Sequence, residues 1–107
     1  MKRVKGMKDF LPKDHKIYTF IVNIAKEISY KYGFQSCDVP ILEYSDIFAK
    51  TLGETSDVVR KEMYSLLDKN EESLTLRPEF TAGVVRSALM GNITLPARLF
   101  SYGQLFR

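Results

Sequence analysis

One cysteine and one histidine occur in the 107 residues, and their scarcity closes several chemistries at once. Cys37 alone cannot form an internal disulfide or a thiolate metal cluster. His15 lies far from it in sequence, at the start of an expected helix, so the thiol lacks the adjacent base that nucleophilic catalysis uses. Cys37 is therefore read as a small buried strand residue and His15 as a solvated helix-start residue, and no metal site is expected. The sequence has no Walker-type glycine loop, no GxGxxG and no HExxH, which excludes the common nucleotide and zinc motifs. No stretch approaches the roughly 20 apolar residues of a membrane span, and the N-terminus lacks the apolar core of a signal peptide. A cytoplasmic location, with no membrane partner, is the expectation. Internal repeats and low-complexity segments are absent as well.

What is present is the composition of a folded core, 45% apolar with 12% aromatic residues. A chain of this length has room for one domain, taken as residues 1–107. Sixteen basic against thirteen acidic residues give a net charge of +3, spread along the chain and densest in "MKRVKGMK". That permits contact with a polyanion without arguing for one, because surface charge of this size is ordinary.

After the irregular "GMKDFLPKD", Ile17, Ile21, Ile24, Ile28 and Tyr32 recur at spacings of four and three, the apolar face of a long helix from about Lys13 to Tyr32. Gly33 follows where a left-handed cap would end it. "FQSCDVPILEY" is extended and broken at Pro40, which removes a ladder donor. "SDIFAKTLG" makes a short helix stopped by Gly53, and "ETSDVVRKE" reads as a loop or fraying turn. "MYSLLD" and "SLTLRP" flank the polar reversal "KNEE" as an antiparallel pair. Past Pro78, a favoured first-turn residue, Phe80, Val84, Val85, Ala88 and Leu89 share one helical face. "GNITLPA" breaks that helix, and "RLFSYGQLFR" is read as a last strand. It ends on Phe106 and Arg107 without turn or cap, as though cut.

The chemistry concentrates at two places. In "LTLRPEFTAGVVR", Glu79 falls in the first turn of its helix, where the dipole favours a carboxylate. It serves either as a helix-start charge or, with the Thr81 hydroxyl, as an acceptor for the ammonium of a small ligand. Arg107, at a strand end, is either a solvated edge residue or a planar two-point grip for a phosphate.

Taken together and in order, "KGMKDFLP", "GFQSCDVPILEYSDIF", "LGETSDVVRKEMYSLLD", "LTLRPEFTAGVVR" and "FSYGQLFR" closely resemble the N-terminal part of the catalytic domain of the histidyl-tRNA synthetase family. The resemblance covers nearly all of the chain. It implies an α/β fold of the α+β type, a partial class II synthetase antiparallel sheet with flanking helices, ending inside motif 2. The long helix and the strand around Pro40 resemble motif 1, which forms the homodimer interface. "YGQLFR" is similar to the first strand of motif 2, with Arg107 as the catalytic cation that holds the ATP α-phosphate and the carboxylate side of histidine. "RPEFTA" is similar to the histidine-binding segment, which gives Glu79 the α-amino group and Thr81 a place in the same pocket. ATP with Mg2+ and tRNA(His) are the implied further substrates.

One residue departs from the family pattern. Glycine commonly stands between this Glu and Thr, and here it is Phe80, whose helical spacing to Val84 points the ring at the core. The histidine-sensing regulatory subunit of ATP phosphoribosyltransferase shares the fold and often carries a bulky residue there, usually after Asp. Glu79 and "VVRKEMY" favour the synthetase. A stand-alone α/β interaction domain is the third reading. With motif 3 and most of motif 2 absent, the 107-residue chain by itself is expected to be inactive.

Overall fold

The computed structural model describes residues 1–53, 56 and 61–107. Of the loop expected over 54–62, residues 54, 55 and 57–60 lie outside the described residues.

Helix α1 spans Pro12–Lys31, with proline in its first turn and Asp14 near the positive end of the dipole. Its C-terminus closes as a Schellman turn. Gly33 takes φ +83°, its N–H donates to the Tyr30 carbonyl at 3.0 Å, and the Phe34 N–H donates to the Ser29 carbonyl at 2.9 Å. The expected apolar face forms but is not buried. No α1 residue is buried, and Ile17, Ile21, Ile24 and Ile28 are 42–59% exposed.

The extended segment that follows splits at Pro40, as its missing N–H requires. Strand β1, Gln35–Ser36, pairs parallel with β5, Leu99–Phe100. Strand β2, Leu42–Tyr44, enters a three-stranded antiparallel sheet in the order β2-β4-β3, with β3 at Ser65–Leu67 and β4 at Ser73–Leu76. The β3–β4 reversal is held by Asp68, whose carboxylate accepts from the N–H groups of Asn70 (2.8 Å) and Glu72 (2.9 Å). Across the sheet, Glu72 raises the pKa of the Tyr44 phenol through its charge and a hydrogen bond, with burial and the Asp68 charge adding to the effect.

The face of β4 that is buried is the polar one. Thr75 is fully buried, and its hydroxyl meets those of Ser45 (2.6 Å) and Ser65 (2.8 Å). Leu74 and Leu76 are only half-buried on the other face. Helix α2, Asp46–Leu52, packs fully buried Phe48 inward and stops at Gly53, φ +87°.

Helix α3, Thr81–Met90, is rotated from the face its apolar spacing suggests. Ala82 and Gly83 are buried, while Val85 and Leu89 are exposed. Two features set this rotation. A Cβ on Gly83 would lie 3.2 Å from Val39 and 3.3 Å from Glu43 Oε1, so any larger residue would push those side chains back by a few tenths of an ångström. One turn on, Arg86 grips Glu43 with two parallel bonds, Nε to Oε2 and Nη2 to Oε1, both 2.7 Å. The final expected strand is shorter than its sequence, because β5 ends at Phe100 and residues 101–107 leave the strand conformation, bonding to Cys37 through Ser101 and to Arg77 through Gln104 and Phe106. Cys37 sits just past β1, half-buried, with Sγ 3.2 Å from the Ser101 hydroxyl, and His15 is exposed as expected.

Candidate functional site

The β4–α3 join is assembled around Arg77. Its main chain continues the sheet in both directions, its N–H donating to the Ile41 carbonyl at 2.8 Å and its carbonyl accepting from the Phe106 N–H at 3.0 Å. Pro78 behind it is fully buried, which fixes the turn into α3.

Glu79 and Thr81 come together on that turn. The Glu79 carboxylate accepts from the N–H of Thr81 (2.5 Å) and from that of Ala82 (3.1 Å to Oε1). Glu79 thus stands just ahead of α3 and not in the first turn that its sequence suggested, yet its carboxylate takes free donors of that turn. A carboxylate has about four lone-pair sites, so both oxygens retain capacity towards a ligand donor. The backbone contacts hold the group in place beforehand, and Thr81 beside it is exposed.

Phe80 does not project freely. Its ring lies over the Arg77 guanidinium, 4.5 Å from Cζ to the centroid, and is half-buried. Phe80 and Thr81 also line a cavity of about 610 Å³ with Ile28 of α1, Tyr32 just past its end, Val84 of α3 and Phe100 of β5. Arg107 is exposed and directly follows Phe106, the residue bonded to Arg77. The chain thus returns its C-terminal arginine to the neighbourhood of the Glu79 turn by way of Arg77. Among the described residues no group of three or more His, Cys, Asp or Glu could hold a metal ion.

The sequence family described as histidyl-tRNA synthetase matches residues 6–107. This chain belongs to the histidyl-tRNA synthetase family. Curated histidine–tRNA ligases of Rickettsia canadensis (strain McKiel) and Rickettsia bellii (strain RML369-C) are 46% and 48% identical to it over 109 residues, covering all of this chain and 26% of each relative. The chain therefore spans about a quarter of the length of the synthetases it matches. The fold agrees: apo histidyl-tRNA synthetase from S. aureus superposes with a TM-score of 0.80 at 36% identity, over 100% of this chain and 29% of that one. A Bacillus halodurans protein described as an ATP phosphoribosyltransferase regulatory subunit/histidyl-tRNA synthetase superposes with a TM-score of 0.82 at 28% identity, over 99% of this chain and 27% of that one.

Arg77 was legible in the sequence only as a charge beside a proline. The signal that marks it is the alternation of β4. Thr75 and Arg77 share the face that is buried, at 0% and 8% exposure, so a charged residue there needs partners. Gly103 is the second residue the sequence did not single out; its φ of +148° brings its α-carbon up against the Arg77 guanidinium.

Proposed function

We propose that residues 1–107 form the N-terminal part of the catalytic domain of a class II histidine–tRNA ligase, whose intact form activates histidine with ATP and transfers it to tRNA(His). What supports this most is one coincidence. The family resemblance runs through the whole chain, and the two segments it marks for substrate, the Glu79 turn and the stretch ending at Arg107, are joined in space through Arg77.

In the first step a histidine carboxylate oxygen attacks the α-phosphorus of Mg2+-bound ATP. The bond to the bridging oxygen of the β-phosphate breaks and pyrophosphate leaves. Glu79 takes the substrate ammonium, and Thr81 supplies a hydroxyl beside it. Arg107 faces the negative charge that builds on the α-phosphate and orients the attacking carboxylate. In the second step a hydroxyl of the terminal tRNA ribose attacks the histidyl carbonyl and AMP leaves.

The enzyme is a cytoplasmic homodimer in this reading. The open apolar face of α1 supports a second copy as its cover, since contiguous exposed patches of this kind mark interfaces. Among the described residues no helix is long and apolar enough to cross a membrane.

Amino-acid-dependent exchange of pyrophosphate into ATP by the intact protein tests the proposal. Exchange with histidine and with no other amino acid is the expected result. Histidine binding without exchange would instead favour a histidine-sensing regulatory subunit, the reading to which the Bacillus halodurans neighbour and the bulky Phe80 point.

A further inference from the structure

We propose that Arg77 is a positioning residue for this reaction, a buried cation that sets where Arg107 stands relative to the Glu79 turn. The inference rests on the synthetase reading above and adds to it a residue that touches neither substrate.

The Arg77 residue is 8% exposed, and burying a guanidinium is unfavourable unless its donors are met. The ion pairs among the described residues are Arg3–Asp9, Lys31–Glu27 and Arg86–Glu43, so no described carboxylate neutralises it. Main-chain oxygens take that place. Nη1 donates to the Val39 carbonyl at 3.0 Å, and Nε donates to the Gln104 carbonyl at 2.9 Å. The Phe80 ring covers one face of the group at 4.5 Å.

Those partners belong to three separate stretches of chain. Val39 precedes β2, Phe80 sits between Glu79 and Thr81, and Gln104 lies three residues before Arg107. A packed core needs no charge at such a junction. A rigid planar fork does something an apolar side chain cannot, because it fixes direction as well as distance between the segments it bonds. Apart from Ser101 and the Tyr102 ring, which Lys26 Nζ approaches to 4.8 Å, the 101–107 segment has few other anchors. It is held by the Nε–Gln104 bond and by the Phe106 N–H on the Arg77 carbonyl, both from the same residue.

Gly103 completes the fit. A Cβ there would lie 2.6 Å from Arg77 Nη2 and 3.6 Å from the Phe80 ring, and its φ of +148° is itself one that side chains rarely adopt. The segment can approach the guanidinium closely enough for the Gln104 bond because that position has no side chain.

The test uses the intact protein with Arg77→Lys and, separately, Gly103→Ala. Lysine keeps the charge and loses the fork, so a purely electrostatic role would survive it. Two readouts are taken. Deuterium uptake at the 101–107 amides should quicken by about tenfold in both variants, as expected for loss of one charge-assisted bond, with other regions unchanged. In histidine-dependent pyrophosphate exchange, kcat should fall roughly 10- to 100-fold, the usual consequence of misplacing a reacting group by about an ångström. KM for histidine and for ATP should stay within about threefold, because Arg107 acts mainly in the transition state. Unchanged uptake at 101–107 in Arg77→Lys, or unchanged kcat with quickened uptake, overturns the positioning role. If Arg77→Lys does not accumulate as folded protein, Gly103→Ala alone decides on the same two readouts. An unmutated protein that shows no exchange sinks the synthetase reading itself, and the uptake measurement then still decides whether Arg77 tethers the segment.

Discussion

Replacing Glu79 by glutamine separates the two roles of its carboxylate. Glutamine keeps one carbonyl oxygen for the Thr81 or Ala82 N–H but removes the charge. At a helix start the lost charge–dipole attraction is worth about 0.3–1 kcal/mol. A charge-assisted contact to a ligand ammonium is worth about 1.5–3 kcal/mol, which corresponds to roughly a 10- to 150-fold loss of affinity. The two contributions differ enough to be read apart. In calorimetric titrations of the intact protein, Glu79→Gln should weaken histidine by that larger factor and leave ATP nearly unaffected. Hydrogen exchange in α3 should change by no more than the helix contribution. Equal losses for the two ligands, or histidine affinity within about threefold of the original, would confine Glu79 to capping α3 and refute its part in the pocket.

The Glu43–Arg86 pair should be asymmetric. Arg86→Met leaves a carboxylate that is 7% exposed without its partner and should lower the opening free energy of the α3 amides by about 3 kcal/mol, whereas Glu43→Gln leaves a guanidinium that is 28% exposed, which water can reach, and should cost about half as much. Hydrogen exchange on both variants checks the order; the reverse order would mean that Glu43 is not the more buried charge. Ile24→Glu, in the middle of the open α1 face, should shift the intact protein from dimer to monomer in sedimentation at micromolar concentration, and an unchanged sedimentation coefficient would remove α1 from the interface. The Tyr44 phenol, raised above its ordinary value of 10.0 chiefly by Glu72, should ionise at lower pH in Glu72→Gln, followed by phenolate absorbance. The raised value favours the folded state below the ordinary phenol pKa, and that contribution disappears as pH rises through the folded one.

The elements that rest on local chemistry were readable from the sequence. The spacing of four and three along α1, Gly33 and Gly53 as helix stops, Pro40 at the break between β1 and β2, and the polar β3–β4 reversal all appear where residue type alone places them. What failed to read was orientation. The apolar residues of α3 suggested a face through Val85 and Leu89, yet the helix turns Ala82 and Gly83 inward, because close approach to Val39 and the bidentate bond to Glu43 outweigh a modest apolar stripe. Burial of α1 could not be inferred from its pattern either. An amphipathic stripe says that a face seeks cover and not which chain provides it. Glu79, Thr81 and Arg107 were named from the sequence, but Arg77, which connects their segments, was not. Its partners are two carbonyls and a ring distant in sequence, and carbonyls leave no trace in composition.

The most direct test of the account is histidine-dependent pyrophosphate exchange by the intact protein carrying Arg107→Lys. The charge is kept and the planar two-point grip on the α-phosphate and the substrate carboxylate is lost. A kcat lowered by roughly 100-fold or more, with KM for ATP little changed, is the predicted result, since the interaction grows as charge develops in the transition state. Exchange within about twofold of the unmutated enzyme would contradict it and return Arg107 to the role of an exposed surface charge.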